Sequence, residues 1–461
     1  METFRLDDVV LLLGNSFIFY GVGYGLLDHH ASGSQLLGAF TLGNVAVHLV
    51  VSVFIHRQHL ADRNLYDLVT GLSLVFATIA IPVQLNGNWV TLLWVGEALL
   101  LFWIGRTRPA SLYEKLAYPM MLLAFISLIH DWLVGYESYT PEKPETRLTP
   151  IFNLIFLTSS LFIAAFGAIN RLNQNPSYSS PLAPGAHSFF SLLMKAILLL
   201  SLYFACYLEI EVYWGQLFTD SYVNVVDGQA ASSYHQNHDL YRFKNLWLIN
   251  YSLLFVSLLA WLNVNRVKDG PLGTINWGLI ALGILLFLTQ GLYELSELQA
   301  SYLDQSLPQY HPTGIFHIAI RYVSLCFVVG ALLAAYQYVQ QAFMQRSFRV
   351  PFDFLLHASV LWIISSELVY WMDMSDSTKT YQLGLSILWG SYALFLIALG
   401  IWKQKKYLRV SAIILFGVTL GKLFIYDLAS LDTVAKTIVL VSLGVLLLII
   451  SFLYNKYKGI I

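Results

Sequence analysis

This sequence has little charge. Only 11% of its 461 residues are Asp, Glu, Lys or Arg, against roughly 25% in a soluble globular domain. So little charge cannot cover a water-facing surface of this size, which excludes a soluble fold. Cysteine is scarce as well. Cys206 and Cys326 are the two present, and both fall inside apolar runs, so they read as inert core residues and say nothing of a redox compartment. No Walker A loop, no G-x-G-x-x-G after a strand, no G-x-S-x-G and no C-x-x-C occurs. ATP, dinucleotide and covalent acyl chemistry therefore have no carrier, and no cofactor is implied. A basic stripe for nucleic acid is missing, as are a soluble domain and a low-complexity tract.

What is present is apolar length. The chain is 57% hydrophobic, with a mean hydropathy of +0.63. Its apolar runs are 16 to 25 residues long, near the length of about 18 or more that crosses a bilayer as a helix. Fourteen are predicted: 9–27, 36–55, 66–84, 89–104, 115–134, 150–169, 189–213, 245–264, 274–294, 314–338, 351–372, 381–402, 408–427 and 435–455. They are continuous rather than alternating, which excludes a β-barrel. The fold class expected is all-α, a polytopic transmembrane helical bundle forming a single integral membrane domain over 1–461. METFRLDD ahead of the first run is acidic rather than basic, so that run reads as a genuine span and not a cleaved leader.

The distribution of charge orients the bundle. With an even number of spans both termini share one side. That side holds 17 of the 26 Lys and Arg, the opposite loops hold 6, and Lys195, Arg321 and Lys422 lie within spans. The positive-inside rule puts both termini in the cytoplasm, with KQKKYLR (403–409) as the strongest anchor. Three longer loops fall outside: 135–150, 214–243 and 297–312. Trp89, Trp132, Trp214, Trp247, Trp371 and Tyr454 at span ends form an interfacial belt.

The chain also repeats itself. WVGEALLLFWIG begins at Trp94 and its helix is followed by one ending at Asp131; WGSYALFLIALG begins at Trp389 and its helix is followed by one ending at Asp427. Spans four and five thus pair with spans twelve and thirteen, inside segments of about 66–170 and 351–458. The offset of eight spans is even, so the repeat is parallel.

The segments 80–108 and 407–458 resemble the bacterial predicted membrane proteins grouped as domain of unknown function 2339. The tail carries most of the likeness: L-R, K-L-F, D-L-x-x-L-D and a final span ending S-x-L-Y. The resemblance implies a polytopic envelope protein, placed here in the bacterial inner membrane, and implies no activity.

Chemistry would come from charges inside the bilayer, which face a wet cavity or each other. From the helical rise, Lys422 lies about 8 Å below the outer surface, Glu367 about 9 Å, Arg321 about 12 Å and Glu97 about 14 Å. Glu367 matches Lys422 best in depth and is its expected partner. His317 lies one turn outside Arg321. These five are the candidate substrate-binding cluster; the same residues would serve equally as ion-paired staples between helices. Glu209 and Glu211 crown the outer end of span seven and join Glu367 as candidate general bases. His235, His238 and Asp239 form a weak H-x-x-H-D metal pattern. Acids beside Tyr and Trp in EIEVYWG (209–215) and ELVYW (367–371) suit a sugar ring.

Two function classes follow. One is a transporter or flippase for a polar envelope metabolite or lipid-linked glycan, favoured by the repeat and by charge at depth. The other is an outward-facing transferase acting on a lipid-carried substrate, favoured by the long outer loops. A structural envelope scaffold is the third reading. The partners expected are membrane lipids and a lipid-linked or sugar-like substrate.

Overall fold

The structure, a computed structural model, describes residues 6–30, 33–58, 63–108, 111–136, 139–178, 180, 182–226, 232–305, 311–375, 381–423, 425 and 433–456. The chain divides into two compact units, Met1–Thr219 and Asp220–Ile461. Among the described residues twelve helices are long and apolar enough to cross a membrane.

The first unit is built from α1 (Leu6–Asp28), α2 (Leu37–Gln58), α3 (Arg63–Gln84), α4 (Asn88–Thr107), α5 (Ser111–Gly135), α6 (Leu154–Asn173) and α7 (Pro184–Asp220). Its core lies between α4, α5 and α6, where Ala98, Phe102, Ala124, Leu128, Phe162 and Phe166 are sealed from solvent. Small residues there let the helix backbones approach, the usual device where lipid removes the hydrophobic drive to pack. Large apolar side chains such as Leu11, Ile18, Val50 and Leu133 point outward, as lipid contact requires. The start of α6 falls at Leu154 rather than near 150. Asn153 caps it, its Oδ1 accepting from Phe156 N at 2.8 Å, and this satisfies an amide that the helix leaves orphaned.

The second unit opens with a hairpin, β1 (Val223–Val226) antiparallel to β2 (Ser232–His235), with Val223 opposite His235. Then come α8 (His238–Leu262), α9 (Gly270–Leu286), α10 (Leu292–Asp304), α11 (Phe316–Val339), α12 (Arg349–Met374), α13 (Tyr381–Trp402), α14 (Lys406–Lys422) and α15 (Thr433–Lys456). A π turn at Phe287–Gly291 joins α9 to α10, and the combined helix runs for 35 residues. Such turns insert one residue into a helix and gather at functional sites. Polar clusters bind the helices: Asn250 donates to Ser324 at 2.9 Å, and Asn276 donates to the buried Tyr338 hydroxyl at 3.1 Å.

Much of the stretches read as outer loops is ordered. Helix α7 carries 37 residues, about 56 Å, and takes in Trp214–Asp220. Helix α10 carries the start of 297–312. Polar side chains hide these extensions from a hydropathy count without preventing a helix.

The two Trp-led helix pairs make matching contacts at a constant offset of 295 residues. Gly105 of α4 meets the backbone of α5 so closely that a Cβ would lie 2.5 Å from Glu114 N, and at Gly400 of α13 a Cβ would lie 3.1 Å from Arg409 N. Thr91 and Ser127 hydroxyls are 2.6 Å apart; at the corresponding positions Lys422 Nζ donates to Ser386 Oγ at 3.0 Å. Ala98, Ala117 and Leu128 are buried, as are their counterparts Ala393, Ala412 and Leu423. In this register Asp131 corresponds to Tyr426, one residue before Asp427; both partners lie outside the described residues.

Candidate functional site

One end of the second unit holds a linked set of charged side chains. Helix α8 begins at His238 with Asn237 as its cap, whose side chain accepts from Asp239 N at 3.1 Å. That start fixes Asp239, Arg242 and Asn245 on the face towards α10 and α11. Arg242 donates to Asp239 Oδ1 at 2.8 Å and to Glu297 of α10 at 2.6 Å. Ser301 donates to Asp239 Oδ2 at 2.5 Å, and His317 Nε2 lies 3.4 Å from the same oxygen. Asn245 and Gln290 both donate to Glu294 Oε1, at 2.7 and 2.6 Å.

One turn further along α11, Arg321 Nε donates to Glu367 Oε1 of α12 at 2.5 Å and Nη2 donates to Ser366 at 2.6 Å. The guanidinium sits 4.4 Å from the centre of the Tyr370 ring. Gln299 of α10 donates to the Tyr370 carbonyl at 3.1 Å. Trp389 of α13 donates from its indole to Ser365 at 2.9 Å.

Between these helices lies a cleft of about 260 Å³. Arg321, Gln299, Ser296, Ser365, Ser366 and Asp373 give it donors and acceptors, and Trp362, Tyr370 and Trp389 give it aromatic walls. Ligand pockets usually measure about 300–1,000 Å³, so the space suits a single small ring or headgroup. A cation, an acid and indole faces in one cleft can stack a ring, accept from its hydroxyls and neutralise an anionic substituent.

Of the expected cluster, His317, Arg321 and Glu367 come together here. Glu367 is matched by Arg321 and not by Lys422, whose ammonium donates to Ser386 on α13. Depth along a helix fixes one coordinate; the direction around the axis decides the partner. Glu97 lies in the first unit, where Thr78 donates to its Oε1 at 2.9 Å and its Oε2 is buried without a partner. Glu209 is also in the first unit, accepting from Tyr136 Oη at 2.6 Å, Ile151 N at 2.7 Å and Asn153 Nδ2 at 2.8 Å. Glu211 lies beside Tyr207. Among the described residues no group of three His, Cys, Asp or Glu could hold a metal. His235 ends β2, His238 opens α8, and Asp239 is held by Arg242, Ser301 and His317.

A family profile described as "Predicted membrane protein (DUF2339)" matches residues 3–457. The chain belongs to that family. The match takes in essentially the whole DUF2339 chain, where the sequence motifs stand out only in 80–108 and 407–458. No curated protein and no solved structure matches it.

Two features of this DUF2339 protein escape a linear reading. Arg106 reads as a loop cation but is sealed inside the first unit, with Nε 3.1 Å from Glu114 Oε2 and Nη2 donating to Asn173 at 2.6 Å. Glu114 Oε1 also accepts from Tyr118 at 2.7 Å and Ser180 at 3.0 Å. Arg242 and Glu297 are 55 residues apart on different helices. The signal for Arg106 was present in the opposite charge eight residues on, across a turn short enough to fold back.

Proposed function

We propose that this DUF2339 protein is a transporter or flippase of the bacterial inner membrane for a polar envelope metabolite or lipid-linked glycan. The cleft among α10, α11, α12 and α13 is its sugar-binding subsite. The observation that carries the reading is the lining of that cleft: Arg321, Gln299, Ser366 and Asp373 among the rings of Trp362, Tyr370 and Trp389. Sugars are bound in this way, by stacking on indoles and hydrogen bonding to side-chain acceptors. The reading takes α14 and α15 as spans, for fourteen in all within one membrane domain, with both termini in the cytoplasm as the loop cations suggest. A parallel repeat relates α4–α5 to α13–α14, supported by the matching contacts at a constant offset; repeats of this kind recur in transporters. Transport is favoured over an outward-facing transferase because Glu209 and Glu367, two of the candidate bases, already accept hydrogen bonds from neighbouring donors.

The test is ligand binding to the full chain in detergent, followed by tryptophan fluorescence with glucose, N-acetylglucosamine and glucose 1-phosphate. One of these is expected to change the emission saturably, and Ser366→Ala with Trp389→Phe to weaken that response. The ligand should be recovered chemically unchanged, and proteoliposomes should accumulate it. Absence of any saturable response overturns the subsite; recovery of a transferred or cleaved product overturns transport.

A further inference from the structure

Arg409 lies one turn into α14, 8% exposed, and its Nε and Nη1 are buried with no hydrogen-bond partner among the described residues. An arginine is always charged and presents its donors in a fixed fork. Buried without an anion, it is among the costliest groups a fold can carry. The first unit shows how this position is satisfied. There the residue at the same place is Glu114, and Arg106 answers it at 3.1 Å. The position of Arg106 is taken by Ile401 in the second unit, so no charge stands at the matching place. Asp353 of α12 is already engaged by this turn: it accepts from both Lys405 and Tyr407, and that contact raises the Lys405 pKa above its ordinary range.

A second observation points the same way. Helix α14 has 17 residues, and Lys405 at its cap gives no side-chain hydrogen bond to the first turn. The leading amides are therefore left for an outside acceptor, at the positive end of the helix dipole. Lys403 and Lys406 are exposed at the same turn, and the exposed Trp402 indole beside them suits the membrane–water boundary.

We propose that the α13–α14 turn binds a phosphate group. Arg409 is its buried donor, and Lys406 and the first-turn amides of α14 complete the shell. The phosphate belongs to an anionic lipid headgroup or to a soluble phosphate, and both supply the oxygens that Arg409 lacks.

The experiment is thermal unfolding of the full chain in dodecylmaltoside with phosphatidylglycerol, cardiolipin, phosphatidylcholine or inorganic phosphate, with bound lipid counted by native mass spectrometry. An anionic species is expected to raise the unfolding temperature, and Arg409→Gln to weaken that binding about tenfold, as loss of a charge-assisted hydrogen bond does. A response to the anionic lipids alone assigns the headgroup; a response to inorganic phosphate assigns a soluble ligand. Ile401→Glu supplies the missing anion internally and should abolish the response while unfolding no lower than the parent. Lys406→Ala, at an exposed position, should weaken binding several-fold. A parent indifferent to every phosphate overturns the proposal, as does an Ile401→Glu or Lys406→Ala protein that responds like the parent.

Discussion

Arg321 and Glu367 share a hydrogen bond of 2.5 Å across α11 and α12, with the arginine side chain 3% exposed and the glutamate 22%. Removing one member of such a pair strands a buried charge and costs about 3–5 kcal/mol, whereas replacing both by apolar groups is near neutral. Glu367→Leu should therefore lower the unfolding temperature in detergent, and Arg321→Met with Glu367→Leu should restore most of it. A single variant as stable as the parent would show that the pair does not clamp these helices.

Arg106 and Glu114 are more deeply placed, at 1% and 0% side-chain exposure. Glu114→Gln keeps an oxygen for Tyr118 and Ser180, while Arg106→Met leaves a buried carboxylate with those two hydroxyls and no counter-charge. Unfolding temperatures should fall in the order parent, Glu114→Gln, Arg106→Met, the last loss being about 3–5 kcal/mol. The reverse order would mean that the contact at 3.1 Å contributes little beyond the hydrogen bonds around it.

Gly105→Ala puts a methyl 2.5 Å from Glu114 N, whereas Gly96→Ala on the same helix meets nothing within 4 Å. The backbone at 114 cannot yield without opening the α4–α5 turn. Gly105→Ala should reduce the yield of monodisperse protein on size-exclusion chromatography, and Gly96→Ala should match the parent. Equal yields would place the close approach elsewhere.

Glu209 accepts from three donors, two of them in the segment leading into α6. Glu209→Gln presents an amide to those donors and should loosen that segment by about 1–3 kcal/mol. Hydrogen exchange at Ile151 would report it as faster exchange. Unchanged protection there would free Glu209 for the base role that its place at the end of α7 suggests.

The membrane helices were legible because hydropathy alone marks an apolar run of bilayer length. The likeness of α4–α5 to α13–α14 is visible in the sequence as Trp, Gly and spacing shared by both. Partners were not. Depth alone pairs Glu367 with Lys422, whereas the azimuth of α11 gives it to Arg321. Arg106 reads as a loop cation because a sequence shows that a loop is near and not that its arginine turns inward. The Arg242–Glu297 contact joins helices whose adjacency no local pattern encodes. Buried Arg409 reads as part of a basic anchor for the same reason.

The π turn at Phe287–Gly291 acts as a phase shifter for the charged face of α10. One residue of an α-helix turns the chain by about 100°. The extra residue in that turn therefore sets the compass bearing of Glu294, Glu297 and Ser301 together. Without it these three would swing off Asn245, Arg242 and Asp239 as a block, and a continuous helix of nearly the same length and hydropathy would remain. Five residues deep in an apolar stretch thus decide whether three acceptors and donors beyond them meet their partners.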